Sequence, residues 1–127
     1  MFAKLEITAM AQAMASHAGA RLGAVSQNMA NADTPGYKAR DVADFASVWE
    51  AGHGGAMRST RAGHLGADPQ TMTTVAVSGS GATSPNGNSV SLEGEMVKAV
   101  EVRQQHDMAL AIYRNTSGII RASLGRR

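Results

Sequence analysis

The side chains most able to do chemistry are carboxylates and imidazoles, and none of them stands in a recognisable catalytic spacing. Asp41 and Asp44 lie three residues apart in the stretch KARDVADF and are candidates for a general acid/base pair. Such a pair needs two carboxyls in different environments, and nothing in the neighbouring sequence distinguishes these two. We therefore interpret both as solvated surface carboxylates.

The remaining candidates for catalysis or metal binding are incomplete. The histidines are His17, His53, His64 and His106. They lack the spacing of metal ligands, and the chain has no cysteine. GHGG, residues 52–55, has no G-x-S-x-G nucleophile elbow to accompany it, and GSGATS, residues 79–84, lacks the lysine of a P-loop. The sequence thus predicts no enzyme and no catalytic, cofactor-binding or metal-binding residue.

Charge and composition restrict the classes of partner. The net charge is +2 and the pI about 9.4, but twelve basic residues are interleaved with ten acidic ones along the whole chain. This is not the basic patch of a nucleic-acid-binding protein. Aromatic residues make up 4% of the chain, and much of its apolar content is alanine and methionine, so an isolated monomer would bury little apolar area. We expect helix pairing or oligomerisation to complete the core.

The sequence predicts neither a membrane span nor a cleaved secretory signal. No window approaches eighteen uninterrupted apolar residues. Glu6, Gln12, Ser16 and His17 interrupt the apolar N-terminal stretch that a signal peptide would require.

Two long stretches have helical periodicity, from about Leu5 to Asn31 and from about Leu92 to Leu124. At 1.5 Å per residue each helix would be about 45 Å long, so its apolar stripe must pack on the other helix or on neighbouring subunits. Gly19 and Gly23 would let another helix approach the first one closely. The predicted helix-pairing residues are Met10, Met14, Leu22, Val25, Met29, Met96, Val100, Leu110, Tyr113, Ile120 and Leu124.

The predicted fold is mainly α, with long N- and C-terminal helices that pair as a coiled-coil-like unit around an irregular Gly/Ser-rich middle segment. We assign residues 1–34 to the N-terminal helix and residues 92–127 to the C-terminal helix. Residues 35–91 form a turn and a flexible or weakly structured middle, in which TMTTVAVS, residues 71–78, is a candidate short strand.

The first helix must end within NMANADTPGYKARDVADF, residues 28–45. Pro35 disfavours the helical conformation at Thr34, and Pro35-Gly36 supplies the two central positions of a type II turn. Asparagine and aspartate side chains can bond the backbone groups freed at the helix end. The predicted helix-end turn consists of Asn28, Asn31, Ala32, Asp33, Thr34, Pro35, Gly36 and Tyr37. These residues favour a structural corner over a catalytic loop.

The same stretch resembles the signature of the bacterial flagellar axial proteins, in which a long N-terminal helix ends at a closely similar N-x-A-N-A-D-T-P-G-Y corner. The continuation YKARD, followed by an aspartate and a phenylalanine, is similar to the FlgB family of proximal rod proteins in particular. PNGNSVSLEGEM, residues 85–96, resembles the segment that leads into the C-terminal helix of these rod proteins, and RSTRAGHLGA, residues 58–67, is a fainter match.

The resemblance implies a structural subunit of the basal-body rod, whose paired terminal helices pack helically into a hollow drive shaft joined to the MS ring. Its implied partners are further copies of the chain, other rod proteins, the MS-ring protein FliF, the adaptor FliE and the flagellar type III export apparatus. The implied location is the rod within the periplasmic space, reached without a cleaved Sec signal. The predicted subunit-interface residues are Tyr37, Lys38, Arg40, Asp41, Asp44, Phe45, Asn86, Gly87, Asn88, Val90 and Glu95.

Three other interpretations stay open at this point. Another axial protein, such as the neighbouring proximal rod subunit FlgC, shares the N-A-D-T corner, although the YKARD continuation and the short centre favour the FlgB family. A small basic helical protein that binds nucleic acid would show binding that falls steeply with salt. A hydrolase that uses the histidines and aspartates would lose its activity on substitution of one of them.

Overall fold

The computed structural model describes residues 2–53 and 83–125, and this part of the chain is mainly helical. Three helices follow in order: α1 (Phe2–Ala30), α2 (Phe45–His53) and α3 (Leu92–Ser123). The predicted mainly α fold with long terminal helices is confirmed, and the described ranges contain no β-strand. The candidate strand at residues 71–78 and the fainter sequence match at residues 58–67 lie outside the described residues, as do the last two arginines.

α3 begins and ends with ordinary helix signals. The Ser91 hydroxyl oxygen accepts a hydrogen bond from the Gly94 N–H at 3.3 Å and so caps the first turn. Glu93 and Glu95 lie in that first turn and Arg121 in the last, where their charges complement the helix dipole. The 32-residue helix therefore has both of its termini stabilised locally.

α1 and α3 pack along each other in antiparallel directions, since Asn28 near the end of α1 contacts Glu95 near the start of α3. A series of buried residues recurs at intervals of seven on each of the two helices, as in a coiled coil. They are Ala11, Ala18 and Val25 on α1, and Glu95, Val102 and Ala109 on α3. Because most of these side chains are small, the two backbones can approach closely.

This buried seam differs from the pairing stripe that the sequence predicts. Val25 is buried, and Met14, Met29, Leu110 and Ile120 are partly buried. The remaining predicted residues are exposed: Met10, Leu22, Met96, Val100, Tyr113 and Leu124. The reason is that alanines, which bury little area but permit close approach, occupy the seam, while the larger apolar residues lie beside it or on the opposite face. These six side chains therefore lie outside the buried seam between α1 and α3.

α2 is held to the middle of α1 by His17. The His17 side chain is buried, and its Nε2 lies 2.7 Å from the Ala43 carbonyl oxygen, so Nε2 carries the proton and donates it. The Phe45 ring packs edge-on against the imidazole with 5.5 Å between ring centroids, and Trp49 packs on Phe45 in turn. His17 thus acts as a buried structural residue.

None of the helices in the described ranges combines the length and apolar character that crossing a bilayer requires.

Candidate functional site

Buried polar side chains gather where α1 ends and α3 begins. We call this group the corner cluster and define it by Asn28, Tyr37, Asn88, Ser89 and Glu95. It joins four pieces of chain: the last turn of α1, residues 31–42, residues 84–91 and the first turn of α3. Pieces that are more than fifty residues apart in sequence therefore meet at one place.

Asn28 is fully buried and uses every hydrogen-bonding position of its amide. Its Nδ2 donates to the Arg40 carbonyl oxygen at 2.7 Å and to Glu95 Oε2 at 3.0 Å. Its Oδ1 accepts from the Arg40 N–H at 2.9 Å and from the Tyr37 hydroxyl at 3.3 Å. One side chain thus fixes the course of the chain after the turn and attaches it to α3.

Asn88 is the second buried amide. It lies in the segment that leads into α3, and its side chain bonds the backbone just after the end of α1. Its Nδ2 shares two hydrogens among the carbonyl oxygens of Asn31, Ala32 and Thr34, at 3.0, 2.7 and 2.9 Å. Its Oδ1 accepts from the Val90 N–H at 2.7 Å. Carbonyl oxygens of the turn that follows α1 are therefore bonded here by a residue far along the chain.

Residues 36–39 and 86–89 run side by side and hold each other through backbone groups. The Gly36 N–H donates to the Asn86 carbonyl oxygen at 3.0 Å, and the Ser89 N–H donates to the Tyr37 carbonyl oxygen at 3.0 Å. The Ala39 N–H donates to the Ser89 hydroxyl oxygen at 2.9 Å. The exit of the chain from α1 is thereby guided by the segment that leads into α3.

Two glycines make this close approach possible. Gly36 has a φ of +73°, and the Tyr37 N–H donates to the Thr34 carbonyl oxygen at 3.3 Å, which closes the turn around Pro35. Gly87 has a φ of +80°, and a Cβ placed there would lie 3.5 Å from the Gly36 Cα. Other residues rarely adopt these left-handed conformations, so both positions require glycine for the backbone itself.

Charged side chains of alternating sign surround the cluster. Glu95 Oε1 lies 2.9 Å from Lys98 Nζ, which lies 4.0 Å from Asp41 Oδ2. Asp41 is in turn bonded by Arg21 through Nε at 3.0 Å and through the second nitrogen at 3.4 Å. These ion pairs connect α3 to the segment after the turn, and that segment to α1. The buried Glu95 carboxylate is thereby paired with the Lys98 ammonium as well as with the Asn28 amide.

The chemistry of the corner cluster is that of a structural joint. Within the described ranges no buried side-chain nitrogen or oxygen lacks a partner, and no group of acidic or histidine side chains has the arrangement of a metal site. The amides and carboxylates of the cluster are hydrogen-bonded to the protein's own backbone and side chains. The arrangement therefore holds chain segments in fixed relative positions.

The structure brings the predicted turn residues together but divides the predicted interface residues into two groups. Asn88 and Glu95 are buried within the chain, and Tyr37 and Asp41 have bonding partners there. Their side chains serve the corner itself. The exposed members of the set are Lys38, Arg40, Asp44 and Asn86, and the partly buried ones are Phe45, Gly87 and Val90.

Four residues of the joint are missing from the sequence-based prediction: His17, Arg21, Ser89 and Lys98. Arg21 had a signal, since it is the single Lys, Arg, Asp or Glu between Glu6 and Asp33. A lone cation in an otherwise uncharged stretch of helix indicates a specific partner, here Asp41. Ser89 had no comparable signal, because its partner Ala39 lies fifty positions away, and the sequence does not show that Lys98, besides pairing with Glu95 on α3, also approaches Asp41.

Comparison with known proteins places this geometry in a biological context. No protein-family model matches the chain. The chain is 29% identical over 117 residues to the flagellar basal body rod protein FlgB of Agrobacterium fabrum, and the match covers 87% of each chain. It is 33% identical over 103 residues to the protein of the same name from Cereibacter sphaeroides, and that match covers 80% of each chain.

Proposed function

The chain belongs to the FlgB family of flagellar basal body rod proteins, and from this premise we propose that it is a structural subunit of the proximal part of the flagellar rod. In this role the paired helices α1 and α3 pack beside those of neighbouring subunits in a helical, hollow drive shaft. The subunit has no catalytic task, and its work is to transmit force through fixed contacts.

The observation that carries this proposal is the corner cluster. A subunit that transmits torque needs a fixed angle between its helices and the segments that meet its neighbours. Asn28 and Asn88 provide such an angle, because both are buried, Asn28 bonds the Arg40 backbone after the turn, and Asn88 bonds backbone carbonyls such as that of Ala32 before it. Lys38, Arg40 and Asp44 lie exposed beside them, and although Lys38 also bonds the Gly87 carbonyl and Asp44 the Ala46 N–H, all three present charge to a neighbouring subunit.

The exposed apolar side chains of the two long helices support assembly as well. Residues such as Leu92, Met96 and Val100 are at least half exposed, and an isolated domain gains nothing from leaving them in water. We propose further copies of the chain and other rod proteins as the partners that cover them. The MS-ring protein FliF, the adaptor FliE and the flagellar type III export apparatus complete the proposed partners at the base of the rod.

Quantitative mass spectrometry of purified hook-basal bodies from the source bacterium tests this function. We expect the chain at several copies per particle, in an amount comparable to other rod subunits. Detection only in the soluble fraction would overturn the proposal.

A prediction for motility follows from the turn. Gly36→Val places a β-branched residue at a φ of +73°, and Pro35→Ala removes the ring that fixes the φ of residue 35. We expect both variants to be synthesised but to reduce swimming in soft agar strongly, with Gly36→Val the more severe, because the chain no longer leaves α1 at the required angle.

The matched control is Gly118→Val, which changes an exposed glycine of α3 where an added Cβ meets nothing within 4 Å. Normal swimming in both corner variants would count against the corner as an assembly determinant. So would an equal loss of swimming in the control.

A further inference from the structure

Asn86 and Gly87 make up the one Asn-Gly pair in the sequence. The peptide nitrogen that follows an asparagine can attack its side-chain amide, and glycine favours this attack because it has no Cβ to shield the nitrogen. Asn86 is exposed in the structure, at a turn that the Gly87 N–H closes by donating to the Ser84 carbonyl oxygen at 2.8 Å. A chemically reactive pair therefore lies beside the corner cluster.

The folded corner holds the peptide unit between Asn86 and Gly87 from two sides. Its carbonyl oxygen accepts from the Gly36 N–H at 3.0 Å, and its own N–H is the donor to Ser84. The Asn86 side chain is held as well, since its Oδ1 accepts from the Asn88 N–H at 3.1 Å. Attack requires the Gly87 nitrogen to give up its proton and the peptide unit to rotate until this nitrogen reaches the Asn86 Cγ. Both backbone hydrogen bonds oppose these changes.

We propose that Asn86 is a site of spontaneous deamidation, which proceeds in chains whose corner is open and is restrained in chains whose corner is folded. A reaction confined to an open state follows the equilibrium population of that state when opening and closing are fast. The fraction of modified protein thus records how long the corner has been open, because the conversion is not reversed by refolding.

The reaction consumes one water and releases one ammonia. The Gly87 nitrogen bonds to the Asn86 Cγ, the Cγ–Nδ2 bond breaks, and Nδ2 leaves as ammonia with the proton that the nitrogen gave up. Water then opens the resulting cyclic imide at either of its carbonyl carbons and returns a proton to the Gly87 nitrogen. Opening at Cγ gives aspartate. Opening at the main-chain carbonyl gives isoaspartate, in which the main chain runs through Cβ and Cγ.

Isoaspartate at position 86 interferes with closure of the corner. The Gly36–Asn86 and Ser89–Tyr37 backbone bonds set the alignment of residues 36–39 with residues 86–89. A main chain that is one carbon longer after residue 86 cannot satisfy both bonds in the same alignment. It also displaces Asn88, whose side chain must reach the carbonyl oxygens just after α1. Chains that stay open long enough to react are thereby prevented from forming the corner.

Mass spectrometry of the full chain after digestion tests the site and its restraint. The protein is incubated at a mildly alkaline pH in buffer and in guanidinium chloride, and conversion is followed as the mass gain from exchange of NH for O. We expect conversion at Asn86 to be at least about tenfold faster in denaturant. Asn115 is the internal control, because Thr116 follows it and shields the nitrogen, so it should convert slowly in both. Equal rates at Asn86 in the two conditions, or no conversion in denaturant, would overturn the proposal.

Asn88→Ala separates the folded corner from the intrinsic reactivity of the pair. The variant leaves the Asn-Gly pair intact but removes the side chain that bonds the backbone after α1. We expect its conversion at Asn86 to rise at least about tenfold in buffer and to stay unchanged in denaturant. An unchanged rate in buffer would contradict the role assigned to the corner.

Chains aged in denaturant and returned to buffer test the structural consequence. Asn86→Asp is the matched control, since it carries the ordinary product without the longer main chain, and its carboxylate can still accept from the Asn88 N–H. We expect the control to melt within about 2 °C of the unmodified chain, and the isoaspartate fraction, identified with isoaspartyl methyltransferase, at least about 4 °C lower. Equal Tm values would refute the predicted block to closure. None of these outcomes depends on the rod function, because all are measured on the isolated chain.

Discussion

Replacement of Asn28 by leucine is expected to lower the free energy of unfolding by about 4 kcal/mol, the largest effect of any single substitution at the corner. The fully buried amide has four partners, and leucine has none to offer them. The N–H and the carbonyl of Arg40 would lose their partner, and the Glu95 carboxylate would keep only Lys98. Each buried polar group left unpaired costs about 1–3 kcal/mol, and a carboxylate costs more than a neutral group.

Urea unfolding followed by circular dichroism at 222 nm measures this loss. Asn115→Leu is the matched control, since it makes the same chemical change at an exposed position of α3 and should shift the unfolding free energy by less than about 0.5 kcal/mol. Glu95→Gln tests the carboxylate separately, because glutamine keeps an oxygen that can accept from Asn28. A loss in Asn28→Leu no larger than in the control would show that the corner contributes little to stability.

Replacement of Asn88 by alanine is expected to cost about 3 kcal/mol and to open the corner locally. The substitution removes the Nδ2 donor that bonds the carbonyl oxygens of Asn31, Ala32 and Thr34 just after α1, of which Asn31 and Thr34 keep the bonds from the Thr34 and Tyr37 N–H groups. It also loosens residues 86–89, the segment whose hydrogen bonds hold residues 36–39 in place. We therefore expect faster amide hydrogen exchange at Gly36 and Ala39, with little change in the centre of α1.

Asn86→Ala is the control for this second prediction. Asn86 is exposed, and its side chain accepts one hydrogen bond, from the Asn88 N–H at 3.1 Å. Its loss should cost about 1 kcal/mol or less. Equal exchange rates in the two variants, or an acceleration spread evenly over α1 and α3, would argue against a cap supplied by Asn88.

Much of the architecture could be read from the sequence, because it depends on local signals. Helical periodicity identified α1 and α3, Pro35-Gly36 identified the end of the first helix, and the NMANADTPGYKARD stretch identified the family to which the chain belongs. Each of these signals lies within a few consecutive residues, so no knowledge of the rest of the fold was needed.

The packing of α1 on α3 could not be read in the same way. A hydrophobicity stripe gives weight to large side chains, whereas the seam consists of alanine, valine and one glutamate at intervals of seven. Leu22 and Val100 are apolar but exposed for this reason. The choice of seam depends on how closely two backbones approach, which is a property of the pair of helices and not of either sequence alone.

The bonding partners of the corner were also hidden from sequence reasoning. Asn28 and Asn88 were recognised as candidates for a turn and an interface, but the bond from Asn28 to Glu95 spans 67 positions and those from Asn88 to the end of α1 span more than fifty. Asparagine bonds its own neighbours just as readily in other proteins. Sequence spacing gives no means of choosing between a near partner and a far one.

The hydrogen bond between Ala39 and Ser89 joins residues fifty positions apart and so makes a closed loop of everything between them. The entropy of closing a flexible loop grows only with the logarithm of its length, and a doubling costs about 0.6 kcal/mol. By this relation an insertion of about fifty residues, the size of a small domain, would add only about 0.6 kcal/mol to the cost of bringing Ala39 and Ser89 together. The two long helices and the corner cluster that joins them can therefore keep their contacts when a new domain is inserted between residues 39 and 89, whether by evolution or by design.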